Sequence, residues 1–120
     1  MEKVSFRYKG RRFSVSVRNC GFFGKIFGLM FKKKENADGL LFKFTNPGKI
    51  SIHSLFVFFP FVAVWLDKKG RVVNVKKIKP FTLSVSPGKK FNKLIEIPIN
   101  RKYRGNVNKL LRYSVGVRKI

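Results

Sequence analysis

The chain contains very little of the side-chain chemistry on which disulfides and metal sites depend. One cysteine, Cys20, and one histidine, His53, occur among its 120 residues. A single cysteine excludes an intramolecular disulfide and does not indicate an oxidising compartment. A single imidazole excludes a multi-histidine metal site, and we predict no metal and no cofactor. We interpret Cys20 as a small apolar filler and His53 as a hydrogen-bonded strand residue; a reactive thiolate pair is the alternative.

Acidic residues are also scarce, since five Asp and Glu stand against 28 Lys and Arg. Of the five, only Asp67 and Glu96 lie in well-defined predicted elements, so a catalytic carboxylate pair would depend on them. Asp67 is explained as the first residue of a turn, and Glu96 is expected to pair with a surface Lys or Arg. We therefore assign no catalytic residue and favour a non-enzymatic protein, leaving an enzyme open.

No stretch of the sequence is long and apolar enough to cross a membrane as a helix. The N-terminus alternates in polarity and lacks the apolar core of a signal peptide. The purely apolar run over residues 55–66 contains Pro60 and is too short for a spanning helix, so it favours a buried strand. We expect a cytoplasmic protein without a transmembrane segment, and the sequence leaves its oligomeric state open.

Positive charge is what the chain has in excess, with a formal net charge of +23 at pH 7. A charge of this size attracts polyanions, which suggests nucleic acid or an anionic membrane surface as partner. A lysine-rich, A/T-biased genome would give the same excess, and this alternative stays open. Because residues 37–66 carry a net charge of only +1, we predict a nearly neutral core surrounded by charged strands.

The basic residues form short clusters that mostly fall in predicted loops. There they could follow phosphates, although reading bases would also need exposed aromatic side chains. A solvated basic coat is the alternative for each cluster. The candidates for polyanion binding are Arg11, Arg12, Lys32, Lys33, Lys34, Lys76, Lys77, Lys89, Lys90, Arg101 and Arg104.

The pattern of apolar residues predicts one mainly β domain over residues 1–120. Alternation predicts a hairpin from residues 4–8 and 13–17, and strands at residues 40–44, 50–59, 61–66, 71–75, 81–85, 94–99 and 114–117. Three- and four-residue spacings predict helices at residues 22–31 and 106–113. Turn residues lie at Asn46-Pro47-Gly48, Asp67-Lys68-Lys69-Gly70 and Pro87-Gly88. Pro60 is expected to cause a bend or a change of strand partner.

Several short motifs occur in an order that resembles a known family. They are Gly28-Leu29-Met30-Phe31-Lys32, Leu40-Leu41-Phe42, Ser51-Ile52-His53, Phe56-Val57-Phe58-Phe59-Pro60, Trp65-Leu66-Asp67, Lys79-Pro80 and Glu96-Ile97-Pro98. Together they resemble the domain of unknown function 192, also called uncharacterised protein family 0127, and especially its archaeal branch. The resemblance runs from about Gly24 to Pro98.

The resemblance implies a compact antiparallel or mixed β-sandwich or pseudo-barrel with one or two short helices. It implies no reaction, since the family has none assigned. The chain departs from the family pattern at Val62, where an acidic residue is usual, and at Ser54, where Met is usual. The family's C-terminal Gly-Asp is also missing near residues 114–116. If those acids line a family site, that site is altered here.

Our leading prediction is a non-enzymatic binding domain whose basic surface contacts nucleic acid or another polyanion. The alternative is a small-ligand-binding or enzyme-accessory domain with a pocket near His53, lined by His53, Trp65 and Asp67. The small-molecule ligand of such a pocket is unknown. A structural role in a larger assembly is a third possibility.

Overall fold

In the described part of the chain, six strands form one mixed sheet, against which the helix packs. The computed structural model describes residues 1–19, 33–48, 59–81 and 87–116. The strands are β1 (Glu2–Tyr8), β2 (Arg11–Asn19), β3 (Gly39–Gly48), β4 (Phe61–Leu66), β5 (Val72–Ile78) and β6 (Phe91–Pro98), in the spatial order β1-β2-β3-β6-β4-β5. A 3₁₀ turn (Lys34–Asn36) precedes β3, and a helix, α1 (Arg104–Gly116), follows β6. The predicted mainly β fold is confirmed.

The sheet curls until its two edge strands approach one another. β2 and β3 run parallel and pair Val17 with Gly39, whereas the other neighbouring strands are antiparallel. Across the opening β1 contacts β5, and α1 contacts both β2 and β5. The outcome is a half-barrel with the helix on its concave side, in agreement with the predicted pseudo-barrel.

Two tight turns follow directly from their residues. The β1–β2 hairpin turns at Lys9 and Gly10, which both have positive φ, of 51° and 77°, as a type I′ turn requires. The β4–β5 turn begins at Asp67, whose carboxylate accepts the backbone N–H groups of Lys69 and Arg71. Gly70, at φ 81°, completes that turn. The predicted hairpins are both present.

The concave side of the sheet holds one hydrophobic core. Val107 and Leu110 of α1, and Tyr103 immediately before its first residue, follow the spacing of one helix face, and all three are buried. They pack against strand residues such as Val64 and Ile97. Each fully buried aliphatic side chain of this kind contributes roughly 1.5–3 kcal/mol. This packing fixes the helix against the sheet.

The convex side carries a second core. Leu40, Phe42 and Leu94 belong to it, together with Phe61 and Trp65 of β4. Because β4 faces both cores, all six of its residues are buried. This explains why the strand is an uninterrupted apolar run in the sequence rather than an alternating one. The predicted buried strand at residues 61–66 is confirmed.

The structure differs from the predicted elements in two places. The predicted turn at Asn46-Pro47-Gly48 lies within β3, where pairing moves from Lys43–Lys93 to Gly48–Phe91. This irregularity accommodates Pro47, which cannot donate a ladder hydrogen bond. The strand predicted at residues 114–117 is wrong as far as it is described, since α1 continues to Gly116. There, the hydrogen-bonded backbone of a helix that begins at Arg104 takes the place of the predicted strand.

Some predictions concern residues outside the described part of the chain. These are the helix at residues 22–31, most of the strand at 50–59 and most of the strand at 81–85. Near them, the backbone bends at Phe59 and β4 begins after Pro60, as expected for that proline. Within the described ranges, no helix has the length and apolarity needed to cross a membrane.

Tyr103 connects the start of α1 to two strands, and removing its hydroxyl tests that connection. The hydroxyl donates to the carbonyl of Ser16 over 2.8 Å and accepts the N–H of Gly39 over 2.7 Å. Tyr103→Phe leaves the buried Gly39 N–H and the half-buried Ser16 carbonyl without this partner, so we expect the free energy of unfolding to fall by about 1–3 kcal/mol.

Urea unfolding of the two proteins measures this effect. Tyr8→Phe is the matched control, because Tyr8 is a half-buried tyrosine that packs against the same core. Its loss of a hydroxyl should cost no more than about 0.5 kcal/mol. Equal losses in the two variants would contradict a specific role for the Tyr103 hydroxyl.

Candidate functional site

The candidate basic residues are not spread evenly over the two ends of the sheet. The end where β3 begins is also the end where β6 finishes, β4 begins and β5 finishes, because Leu40 pairs with Glu96 and Phe61 pairs with both Pro98 and Ile78. We call it the basic end. The opposite end carries the β4–β5 turn and the start of β6.

Most of the candidates lie toward the basic end. Lys33 and Lys34 come just before β3, and Arg101 and Arg104 come just after β6. Lys76 and Lys77 lie in the last three residues of β5, and the hairpin that holds Arg11 and Arg12 extends beyond the start of β3. Lys89 and Lys90 lie at the opposite end, before Phe91. Lys32 is outside the described residues.

Asn100 brings two of these clusters together. Its side-chain amide donates to the carbonyls of Lys34, over 2.8 Å, and Ala37, over 3.0 Å. Its side-chain oxygen accepts the N–H of Tyr103 over 3.2 Å. Asn100 is only 5% exposed, and these bonds satisfy its amide. The residue therefore fixes the 3₁₀ turn next to the first turn of α1, although 66 residues separate Lys34 from Asn100.

A cleft of about 340 Å³ lies between these two segments. Its charged lining consists of Lys34, Arg101, Arg104 and Glu35. Among the described residues, none of the three cations makes an ion pair, including with Glu35. Their charge is therefore available to an anion in the cleft.

Neighbouring cations, in contrast, are held by Asp38. Its carboxylate contacts Lys102 at 2.7 Å and Arg18 at 2.9 Å. The hydrogen bonds from Lys102 and Arg18 lower the pKa of Asp38, in that order of importance, and the same bond to Asp38 raises the pKa of Lys102. The pair joins β2 to the segment after β6. The single negative charge of Asp38 offsets one of the two positive charges of Arg18 and Lys102.

Glu96 behaves differently from the surface residue that the sequence predicts. It lies on the convex side of β6, opposite Ala63 and Leu40, and is 7% exposed. No ion pair of Glu96 is found among the described residues. Burial raises the pKa of its carboxyl to about 8. The expected pairing with a surface Lys or Arg is therefore not found in the described part of the chain, and a carboxyl with this pKa is mostly uncharged at neutral pH.

The residues predicted to line a ligand pocket have different environments. Trp65 is fully buried in the convex core, and its indole N–H has no hydrogen-bond partner in the described structure. Asp67 is taken up by its turn, where it also forms an ion pair with Arg71 at 2.9 Å. Its pKa is lowered, first by the backbone N–H of Arg71. His53 and Cys20 are outside the described residues.

Neither metal-binding nor aromatic side chains make a second site in the described ranges. There, no group of three or more His, Cys, Asp or Glu residues could hold a metal ion. Phe81 is 55% exposed and has φ 62°, an uncommon conformation for a bulky residue. It follows β5, toward the basic end.

Sequence reasoning identified the cations of the cleft but not the residues that assemble it. Asn100 and Tyr103 were assigned no role, since neither belongs to a recognisable motif. Their partners are backbone groups far away in the chain, such as those of Lys34 and Ser16. Only the fold shows that these groups meet.

The chain belongs to the family of the domain of unknown function 192. The model of this family, described as Uncharacterized ACR, matches residues 6–109, which include all six strands but for the first residues of β1. The resemblance of the sequence to the domain of unknown function 192 is thus confirmed. No curated protein matches the chain.

Two solved structures share the fold. A protein of unknown function from Novosphingobium aromaticivorans DSM 12444 is 16% identical, with a TM-score of 0.69 over 80% of this chain and 71% of that chain. A candidate transcription regulator from Sinorhizobium meliloti 1021 is 15% identical, with a TM-score of 0.68 over 78% of this chain and 76% of that chain. At these identities the likeness shows the fold alone.

The buried carboxyl of Glu96 should make stability depend on pH. Below about pH 4.5 the carboxyl is protonated in both the folded and the unfolded chain, so it has no effect. Between pH 4.5 and about 8 the unfolded chain loses the proton that the folded chain keeps. The contribution of Glu96 to the free energy of unfolding should therefore fall by about 1.4 kcal/mol per pH unit in this window, and level off above it.

Glu96→Gln removes the titrating group and should remove this slope. Between pH 5 and pH 8, the free energy of unfolding of the variant should rise by roughly 3 kcal/mol relative to that of the wild type. Chemical unfolding at several pH values measures this difference. Glu35→Gln, which changes an exposed carboxylate, is the control and should show no such gain. A difference between Glu96→Gln and wild type that stays constant with pH would contradict the buried, proton-carrying carboxyl.

Proposed function

We propose that this protein is a non-enzymatic binding domain that contacts the phosphate backbone of nucleic acid through its basic end. The proposal is carried by one observation: Lys34, Arg101 and Arg104 line the same cleft, although Lys34 is far from the two arginines in the sequence. None of the three forms an ion pair with a carboxylate among the described residues. Cations that line the same cleft repel one another, and a phosphate would relieve that repulsion.

The basic surface around the cleft extends the area that a polyanion could contact. Lys33, Lys77 and Arg12 are exposed and lie toward the same end. Each cation that neutralises a phosphate releases counterions, so the affinity should fall steeply with salt concentration. Such contacts give affinity with little sequence preference. We therefore propose a mode of binding that depends mainly on backbone charge.

The aromatic residues support the same mode. Stacking of bases needs exposed rings. Most of the described phenylalanines, such as Phe6, Phe61 and Phe91, are buried in the two cores, and Phe81 is the exposed one. The neighbour from Sinorhizobium meliloti is described as a candidate transcription regulator, which is compatible with nucleic-acid contact.

We further propose that residues 1–120 act as one domain in the cytoplasm and belong to the archaeal branch of the family.

A small-ligand-binding domain is the second candidate function, and one observation favours it. The convex core contains two polar groups that are costly to bury, the Glu96 carboxyl and the Trp65 indole N–H, which has no hydrogen-bond partner among the described residues. Ala63, next to Trp65 on the same face, pairs directly with Glu96. A ligand that hydrogen-bonds to both groups would offset this cost. A thermal-stability response to a metabolite library that is lost in His53→Ala would support this alternative.

Two variants with the same loss of charge test the proposed nucleic-acid contact. The first replaces Lys33, Lys34, Arg101 and Arg104 by Ala, and the second replaces Lys68, Lys69, Lys89 and Lys90 at the opposite end. All eight side chains are exposed, so neither variant should unfold. In fluorescence anisotropy with a mixed-sequence oligonucleotide, we expect the first to lose affinity at least about tenfold and to lower the salt slope by about three.

The second variant measures how much of the binding comes from net charge alone. We expect it to bind within about threefold of the wild type at moderate salt. Equal losses in both variants would show that no particular end of the molecule is used. If the wild type does not bind oligonucleotides even at low salt, the proposed function is wrong.

A further inference from the structure

We propose that the cleft beside α1 is a defined subsite for one phosphate ester, with Arg101 and Arg104 as the residues that hold it. The inference deepens the proposed function, and rests on it in so far as the phosphate belongs to a nucleic-acid strand. It goes further in three respects. The phosphate binds at one location, one ligand binds per protein molecule, and the affinity depends on the geometry of the guanidinium groups rather than on charge alone.

The first argument is the size and shape of the cleft. Its volume of about 340 Å³ lies within the range of small-molecule sites. An even basic coat would present its cations on convex surface, where water screens each one separately. Here Lys34, Arg101 and Arg104 line a single concavity, so an anion bound there has all three cations in the surrounding wall.

The second argument is the chemistry of the lining. A guanidinium presents a planar fork of donors that matches two phosphate oxygens, and a lysine adds a point charge. Asn108 contributes a side-chain amide from the next turn of α1, while Ile99 and Val107 form an apolar part of the wall. Apolar wall beside charged groups lowers the local dielectric and strengthens the attraction to a phosphate.

Glu35 limits what the cleft can hold. Its carboxylate lies in the same lining, where it would repel a second phosphate group and accept a hydrogen bond from a hydroxyl. A ligand with one phosphate and a free hydroxyl suits this lining better than a di- or triphosphate, whose further phosphates add negative charge beside Glu35. The ligand class is therefore a nucleoside monophosphate or a ribonucleotide unit of an RNA strand, which keeps a free 2′-hydroxyl.

The third argument is that the framework of the cleft is fixed before any ligand arrives. Asn100 binds the 3₁₀ turn that carries Lys34, and it also binds the N–H of Tyr103, next to Arg104. Asp38 forms an ion pair with Lys102, which lies between Arg101 and Arg104 in the sequence. This contact fixes the backbone that carries the two arginines. Rigid positioning lowers the entropy that a ligand must lose on binding.

Isothermal titration calorimetry with inorganic phosphate and with a nucleoside 5′-monophosphate tests the subsite. Four proteins are compared: wild type, Arg101→Ala/Arg104→Ala, Arg101→Lys/Arg104→Lys and the control Lys89→Ala/Lys90→Ala. We expect wild type to bind one nucleotide. The alanine pair should weaken binding at least about tenfold, the lysine pair about three- to tenfold, and the control less than about twofold.

The result for Arg101→Lys/Arg104→Lys separates a built site from a charged surface, because this variant keeps the full charge. A loss of affinity there supports the subsite, and wild-type affinity there overturns it. A loss in Lys89→Ala/Lys90→Ala equal to that in Arg101→Ala/Arg104→Ala also overturns it. Circular dichroism of each variant checks that the fold is unchanged.

The two proposals fail in distinguishable ways. If oligonucleotides bind through the basic end but neither phosphate nor the nucleotide binds in the cleft, the subsite is wrong and the proposed function stands. If the nucleotide binds and is lost in Arg101→Ala/Arg104→Ala while oligonucleotides do not bind, the proposed function is wrong. The subsite is then that of a free nucleotide.

Discussion

The buried amide of Asn100 is the interaction on which the functional end of the molecule depends. Its two hydrogen bonds, to the carbonyls of Lys34 and Ala37, hold the 3₁₀ turn directly against the start of α1. The Tyr103 hydroxyl extends the same arrangement to β2 and β3. One short segment after β6 thus joins the sheet, the 3₁₀ turn and the helix. The cleft lies where these three elements meet.

The few acidic residues show how the molecule distributes its charge. Asp38 and Asp67 serve local geometry, the first by joining β2 to the segment after β6 and the second by closing a turn. Glu96 contributes little negative charge, because burial keeps its carboxyl mostly protonated near neutral pH. Little negative charge is left to balance the surface. The excess of positive charge is therefore present where a partner would meet it, at exposed loops and strand ends.

Much of the fold could be predicted from the sequence because the relevant rules are local. Alternation over residues 4–8 and 13–17 determines the first hairpin, and the Asp67 turn follows from the geometry of Asp and Gly. The course of β3 through Pro47 could not be predicted, since a bulge depends on the partner strand rather than on the turn residues. The burial of Glu96 was also inaccessible, because alternation places it on a face of β6 without showing that the convex side is covered. For the same reason, the cleft required the fold: its cations were identified singly, but the contact between Lys34 and the loop after β6 is long-range.

Both faces of the central strands are covered by cores, and the two edges of the curled sheet approach each other. Substitution within the ladder therefore disturbs packing on one side or the other. The exposed side chains at the strand ends belong to neither core, although the buried Asn100 and Tyr103 beside them hold the framework. The same scaffold is present in two structures that share about one residue in six with this chain, so the charge at the strand ends can change without loss of the fold.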